Sequence, residues 1–475
     1  MGRKIVIMGA GAVGGYTGAH MVKAGEDVTF IDPWPAHVEH MRKHGLRVTH
    51  AMTEPEFTVP VRALHVTDAQ QLAKEKPVDI AFVCMKSYDT AWATMLIRQY
   101  LAPDGYVVSL QNCMNEETIA GIVGWGKTLG CIASSITVNL PEPGLVHRGA
   151  AKHGAKHTVF RAGEPHGRIT SRAEEVCRLV AYADSAKVTS NLWGERWSKL
   201  VANSMQNGIS ASTGLGGGDM LKNDAIRRFS TRVGGEAVRV GRALGYQLEE
   251  ILHIAPDTIA RAGEGDADAI RACDEQRFKD SGRTAATQRP SMGQDMQKGR
   301  RTEIEFLNGL VAREGEKLGL TVRANAVLTD LVKRVERGEI KADPTHIEEL
   351  RLNCAGLHRA TAPNRLISTQ PPARRRRISP AASRMIGSPH PSSTSLASIS
   401  SAAWRMRASA GATATSTWRW SRAAGSPRRR SIACAATRLR ARPNGARAYR
   451  CSGEIRIFRS DGFRRSIASI SSTMP

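Results

Sequence analysis

The sequence predicts an α/β domain followed by an all-helical domain and a tail unlike either, and three observations carry that reading. Short apolar, β-branched runs alternate with helix-like segments through residues 1–189, the pattern of a largely parallel sheet covered on both faces. From Asn191 those runs thin out and apolar residues recur at helical spacing, as in Leu192, Trp193, Trp197, Leu200 and Val201. The formal charge of +24 is also unevenly spread over the 475 residues. Residues 351–475 hold 24 Arg, no Lys and only Glu454 and Asp461, which leaves residues 1–350 with 44 basic against 42 acidic groups. The expected segments are therefore 1–189, 190–350 and 351–475.

The first element sets the class. Ile5–Met8 reads as a strand and Val13–Ala24 as a helix, joined by Gly9, Ala10, Gly11, Ala12, Val13 and Gly14. A strand, a GxGxxG turn and a helix form a Rossmann-like dinucleotide site. There the first glycine permits the turn, the second admits a pyrophosphate and the third lets helix and strand pack. The helix start contributes unpaired N–H groups and a positive dipole end. A second strand, Val28–Ile31, ends at Asp32, an acid placed to accept from a ribose 2′-hydroxyl and to repel a 2′-phosphate; as an alternative, Asp32 is a turn residue before Pro33.

Ala36–His44 reads as a short helix, and Leu46–Thr49 with Phe57–Val61 as a hairpin added to the sheet. Ala69–Glu75 follows as a helix. Val78–Met85 is apolar enough for a central strand, which brings Lys86 to its carboxyl end, where such sheets hold ligands. Thr90–Leu101 is the next helix. Tyr106–Leu110 then leads into Asn112, placed to face a nicotinamide or its substrate, or serving only as a loop cap. The last strand falls near Lys187–Thr189. Beyond it, Gly214–Gly218 reads as a turn, Gly263–Gly265 and Asp280–Arg283 as part of a long polar loop, and Thr302–Leu318 and Asn325–Arg337 as closing helices.

Composition excludes several classes. Eight Cys without a CxxC pair indicate neither a zinc site nor a disulfide framework. His147, His153 and His157 lack partners at metal-ligand spacing, so no metal is expected. Met1 leads directly into the first strand and no run has the length of a membrane helix, so a cytoplasmic protein without a membrane partner is expected. The near-neutral front part gives no ground for a nucleic-acid partner. The Arg/Ser/Ala-rich tail is expected to be disordered. Its Arg without Lys points to translation of a GC-rich message in a shifted frame, or else to a genuine basic tail binding nucleic acid or anionic surfaces. An apolar face on the closing helices is compatible with a homodimer as well as with intramolecular packing.

Two polar concentrations carry the candidate chemistry. In WSKLVANSMQNG, Lys199, Asn203 and Asn207 recur every four residues, which on one helix puts all three on one face. Two Asn cost helix propensity, so the face suits a cleft as well as it suits solvent. A Lys there can bond a substrate carbonyl and deliver a proton as hydride arrives. In SMGQDMQKGRRTE, Ser291 can donate to a carboxylate, while Asp295 or Glu303 can orient an ammonium; Glu303 can equally be a first-turn helix acid.

Together, GAGAVGG at Gly9–Gly15, CMKS at Cys84–Ser87, LQN at Leu110–Asn112, LWGERWSKLVANSMQN at Leu192–Asn207 and SMGQDMQKGRRTEIEFLNG at Ser291–Gly309 resemble the ketopantoate reductases over about residues 3–340. The resemblance implies NADPH-dependent reduction of 2-dehydropantoate to pantoate, on the route to pantothenate. It implies Lys199 and Glu303 as catalytic residues, and Asn203, Asn207, Ser291 and Asp295 as substrate-binding or supporting ones. It also implies that Lys86 and Asn112 match positions close to the nicotinamide and substrate. Asp32 stands where NADPH-using members carry a basic residue. NAD is therefore favoured by Asp32 and NADP by the resemblance, with Arg42 or Lys43 able to reach in. The stretch Arg271–Arg289 looks longer than the corresponding connection in the family. Another 2-oxo acid is an alternative substrate, and a non-catalytic dinucleotide-binding regulator an alternative function.

Overall fold

The computed structural model describes residues 2–51, 54–152, 157–281, 289–348 and 350, with backbone alone at 280–281, 405–407 and 419–421. Met1–Thr369 and Gln370–Pro475 form separate compact units. In the second unit, Arg405–Arg407 pairs antiparallel with Arg419–Ser421. The rest of the disorder expectation for the tail falls outside the described residues, as does the role expected for His153.

Twelve described strands occupy the front of the first unit. In chain order they are β1 (Lys4–Met8), β2 (Asp27–Asp32), β3 (Leu46–His50), β4 (Phe57–Val59), β5 (Arg62–His65), β6 (Val78–Val83), β7 (Leu101–Ser109), β8 (Thr128–Ala133), β9 (Val138–Glu142), β10 (Leu145–Arg148), β11 (Phe160–Gly163) and β12 (Ala186–Thr189). Eight of them form one sheet in the order β12-β11-β8-β7-β6-β1-β2-β5. Every neighbouring pair in it is parallel except β8 with β11. The near-continuous apolar runs follow from burial on both faces. Ile5 and Ile7 of β1 join one core layer with Phe30, Ile80 and Phe82, while Val6 and Met8 join the opposite layer with Ile31, Ala81 and Val83.

Parallel pairing brings the carboxyl ends of β1, β6 and β7 to one edge. Gly9, Lys86 and Gln111-Asn112 follow those strands and therefore share that edge. The expected hairpin exists, since β3 pairs with β4, but it is not part of the main sheet. It belongs to a second sheet in the order β4-β3-β10-β9. A strand that the sequence reading missed, β5, occupies the main sheet's edge beside β2 instead, and a second, β10, lies in the smaller sheet.

After Thr189 the described residues are almost wholly helical, beginning with Leu192–Ser204. Trp197 is fully buried there and donates from Nε1 to the Ala237 carbonyl at 2.9 Å. Trp193 is only half-buried, donating to the Pro165 carbonyl. The described part of the expected polar loop is two helices, Pro256–Glu264 and Ala267–Ser281, separated by a turn at Gly265 with φ +100°, while residues 282–288, with the rest of that expectation, lie outside the described residues. Glycine lets the first helix close on Asp224–Ala243: a Cβ on Gly263 would stand 2.8 Å from the Gly235 Cα. Among the described residues no helix is long and apolar enough to cross a membrane.

Candidate active site

The glycine turn is held by its own strand neighbours. Gly9 takes φ +98° and donates its N–H to the Ile31 carbonyl, and a Cβ there would meet Met85. Gly14 packs so closely that a Cβ would lie 2.1 Å from the Gly9 carbonyl oxygen. At Gly11, by contrast, a Cβ would meet nothing within 4 Å. Gly11 also begins the helix Ala12–Lys23 without a side-chain cap, leaving its first N–H groups free of that competitor. Open space in front of an uncapped helix start fits a dinucleotide pyrophosphate.

The peptide of Ala10, between these glycines, is fixed from both sides. Its N–H donates to Asp32 Oδ2 at 2.8 Å, and its carbonyl lies 3.0 Å from His37 Nε2. His37 Nδ1 accepts from the Gly144 N–H at 2.9 Å, so Nε2 carries the proton donated to Ala10. Burial lowers the pKa of His37 and favours this neutral ring. Asp32, 7% exposed, accepts a second backbone N–H, from Trp34, at Oδ1. Burial raises its pKa, opposed by those two N–H donors and by the nearby His37 and Arg300. Arg42, one of the two residues that could have reached in towards the nucleotide, is committed to the Ala63 carbonyl, Glu39 and Asp68.

Lys86 joins the sheet to the helical region. Its Nζ donates to Asp295 Oδ2 at 2.6 Å and lies 3.3 Å from Glu303 Oε2 and 3.4 Å from Ser291 Oγ. Burial opposes the charge on Lys86, but Glu303 and Asp295 outweigh it and hold the ammonium above its ordinary range. Glu303 Oε1 accepts from both the N–H and the hydroxyl of Ser87, at 2.9 and 2.8 Å. Although burial raises the Glu303 pKa, Lys86 and Ser87 prevail and keep it below the usual carboxylate value. Asp295 is raised, because burial and the neighbouring Glu303 charge outweigh Lys86 there. Thus one carboxylate is firmly ionised and the other is nearer protonation.

Lys199 is different: it makes no hydrogen bond or ion pair among the described residues. Burial first, and then the charge of Arg196, lower its pKa to about 8, while Cys113 and Glu303 pull it upward. Arg196 is fully buried, donates to the Gln111 and Ser109 carbonyls at 2.6 and 3.2 Å, and pairs with Glu116. It therefore clamps the helix Leu192–Ser204 against the loop after β7, with Lys199 one turn on. In that loop Cys113 adopts φ +65°, in the left-handed region. Asn112 there is half-buried, and its carbonyl accepts from Asn115 Nδ2 at 2.7 Å.

The helix carrying Lys199 ends at Ser204, and Asn207 starts another, Asn207–Thr213. The single face expected for Lys199, Asn203 and Asn207 is thereby corrected: only Lys199 and half-buried Asn203 share it. Remote side chains satisfy the carbonyls freed at the break. Asn308 Nδ2 donates to the Ser204 carbonyl at 3.2 Å, and Ser230 Oγ to that of Met205 at 2.7 Å. Asn207 reaches the cluster by another route, its Oδ1 accepting from the Met292 N–H at the start of the helix Ser291–Gln297.

Lys86 is thus in direct contact with Ser291, Asp295 and Glu303, Lys199 lies within the electrostatic reach of Glu303, and Asn207 braces the segment bearing Ser291. Sequence reasoning missed Ser87, Asn115, Arg196 and Glu116. Ser87 and Arg196 lay inside motifs already singled out; Glu116 and Asn115, just after the loop, had no spacing signal of their own.

Comparison with known proteins agrees with this architecture. Residues 5–157 match the family described as ketopantoate reductase PanE/ApbA, and residues 191–336 match its C-terminal part. A 2-dehydropantoate 2-reductase of Archaeoglobus fulgidus is 30% identical over 338 residues, covering 71% of this chain and 99% of the relative. One from Pyrococcus horikoshii is also 30% identical, covering 70% and 97%. A solved ketopantoate reductase from Ralstonia eutropha is 28% identical with a TM-score of 0.57, covering 70% of this chain and 99% of that one. With both segments matched, the chain belongs to the ketopantoate reductase family.

Proposed function

We propose that the chain reduces 2-dehydropantoate to pantoate with NADH or NADPH, as a step of pantothenate formation. In this reading residues 1–189 bind the dinucleotide and residues 190–350 carry the substrate side. The observation that carries it is Lys199, an unpaired ammonium with a pKa near 8 beside ionised Glu303 and the loop of Asn112. The names of the relatives from Archaeoglobus fulgidus and Pyrococcus horikoshii support the substrate.

The segment Gly9–Gly14 and the start of the helix Ala12–Lys23 would hold the pyrophosphate, Asp32 the adenosine ribose, and Lys86 and Asn112 the nicotinamide end. When bound, the reduced nicotinamide supplies a hydride to the C2 carbonyl carbon. Lys199 hydrogen-bonds the carbonyl oxygen, stabilises the negative charge that grows on it, and gives up one proton to form the hydroxyl. The neutral amine then regains a proton from solvent, which a pKa near 8 makes easy at neutral pH. Ser291, Asn203 and Asn207 donate to the carboxylate and hydroxyl groups of the substrate. Glu303 holds Lys86 and, through its charge, Lys199; Asp295 supports Lys86.

The test is cofactor oxidation by the full chain with 2-dehydropantoate and a panel of other 2-oxo acids, each product identified. Pantoate as the fastest-formed product is expected. Faster reduction of another 2-oxo acid would move the substrate assignment to that acid. Dinucleotide binding without turnover of any acceptor would favour the regulatory reading.

A further inference from the structure

The dinucleotide reading has an unexplained neighbour in Arg300. Asp32 alone would repel a 2′-phosphate, and Arg42 is engaged elsewhere. Arg300 arrives from the helical region, just after Ser291–Gln297, with its N–H donating to the Asp295 carbonyl at 2.9 Å. Two residues earlier, Lys298 Nζ bonds Asn139 Oδ1 at 2.7 Å and the Leu140 carbonyl at 3.0 Å, tying this segment to β9. The Arg300 guanidinium lies over Trp34, 5.5 Å from the ring centroid. On its own account Trp34 stacks with His37 at an interplanar angle of 26°, and it lies two residues beyond Asp32.

Arg300 is exposed, and among the described residues its side chain makes no hydrogen bond or ion pair. Its charge nevertheless reaches Asp32. A guanidinium held on an aromatic face keeps its planar fork of donors available, the geometry that phosphate recognition uses. In a Rossmann-like site the adenosine ribose lies at the end of the second strand, here Asp32. Asp32, meanwhile, already directs one oxygen to Ala10 and the other to Trp34.

We propose that Arg300, stacked on Trp34, is the residue that reads a phosphate on the ribose 2′-oxygen, so that the chain accepts NADPH as well as NADH. The recognising cation then comes from the helical region rather than from the loop after β2. The proposal rests on the dinucleotide reading above.

Calorimetric titration of the full chain with AMP and with adenosine 2′,5′-bisphosphate separates the two ideas without turnover. The Arg-rich tail is common to all variants, so its own anion binding cancels between them. R300A is expected to weaken bisphosphate binding about 10- to 100-fold, the range of a lost charged hydrogen bond. AMP binding should change by less than about threefold, and R300K should recover part of the loss, having the charge but not the fork. Unchanged bisphosphate affinity in R300A, or an equal loss for both ligands, would overturn the assignment. Failure of the wild-type chain to bind either ligand would overturn the dinucleotide reading, and this proposal with it.

Discussion

Burial lowers the pKa of Lys199, which suits the proton-donor role proposed for it. Between about pH 8 and its ordinary value of 10.5, the unfolded chain holds a proton on this side chain that the folded chain has released. Stability from this group therefore rises with pH across that window, and its cost is fully present below pH 8. K199M, of similar length but uncharged, removes the cost. In urea titrations at pH 7 it should be more stable than wild type, on the order of 1 kcal/mol once partial solvent screening is allowed for, and the difference should close above pH 10.5. A less stable K199M at pH 7 would mean that the ammonium has a partner in the fold. The sequence made Lys199 legible through its motif. It could not reveal the lowered pKa, which depends first on the burial of this side chain and then on Arg196, held by the carbonyls of Gln111 and Ser109.

At the level of elements, the three glycines of the turn differ in what they tolerate. G14A drives a methyl group into the Gly9 carbonyl, so strain should cost at least about 1–3 kcal/mol, the range of overpacked cores. G11A meets open space at φ −61°; its thermal midpoint should stay within a few degrees of wild type while dinucleotide affinity falls, because the methyl would occupy the approach proposed for the pyrophosphate. Thermal melts and dinucleotide titration of both variants check this, and a G11A protein binding like wild type would contradict the placement. This element was readable because local spacing determines it. The break at Ser204 was not, because the groups that stabilise it, Asn308 and Ser230, come from distant helices. The helices Pro256–Glu264 and Ala267–Ser281 did carry local signals, Pro256 at the first position and Gly265 past the end of the first helix. Their charged, glycine-containing sequence obscured them.

Across the whole molecule, the candidate site lies where sheet and helical region meet, and Lys86 is one of its ties, beside Arg196. K86M would leave Asp295 and Glu303 buried without their cation. With Lys86 about one-third exposed, at 32% of its side-chain surface, a loss of roughly 2–4 kcal/mol is expected, at the lower end of values for broken buried pairs. Because the two carboxyls would then bind protons more readily in the folded state, acidification from pH 7 to 5 should narrow the stability gap to wild type. A gap that is constant with pH would contradict the charge argument. This long-range convergence was legible only as a set of residues: the end of an apolar strand named Lys86 and a polar concentration named Asp295 and Glu303, but no local rule spans the interval between them. The central claim, that Lys199 donates the proton at this junction, is tested most directly by the pH dependence of kcat/KM for 2-oxo acid reduction in wild type and K199A. The account predicts a wild-type profile that falls above about pH 8, and a loss in K199A of about 10²- to 10⁴-fold that also removes this limb. A K199A enzyme within tenfold of wild type, with the same alkaline limb, would contradict it.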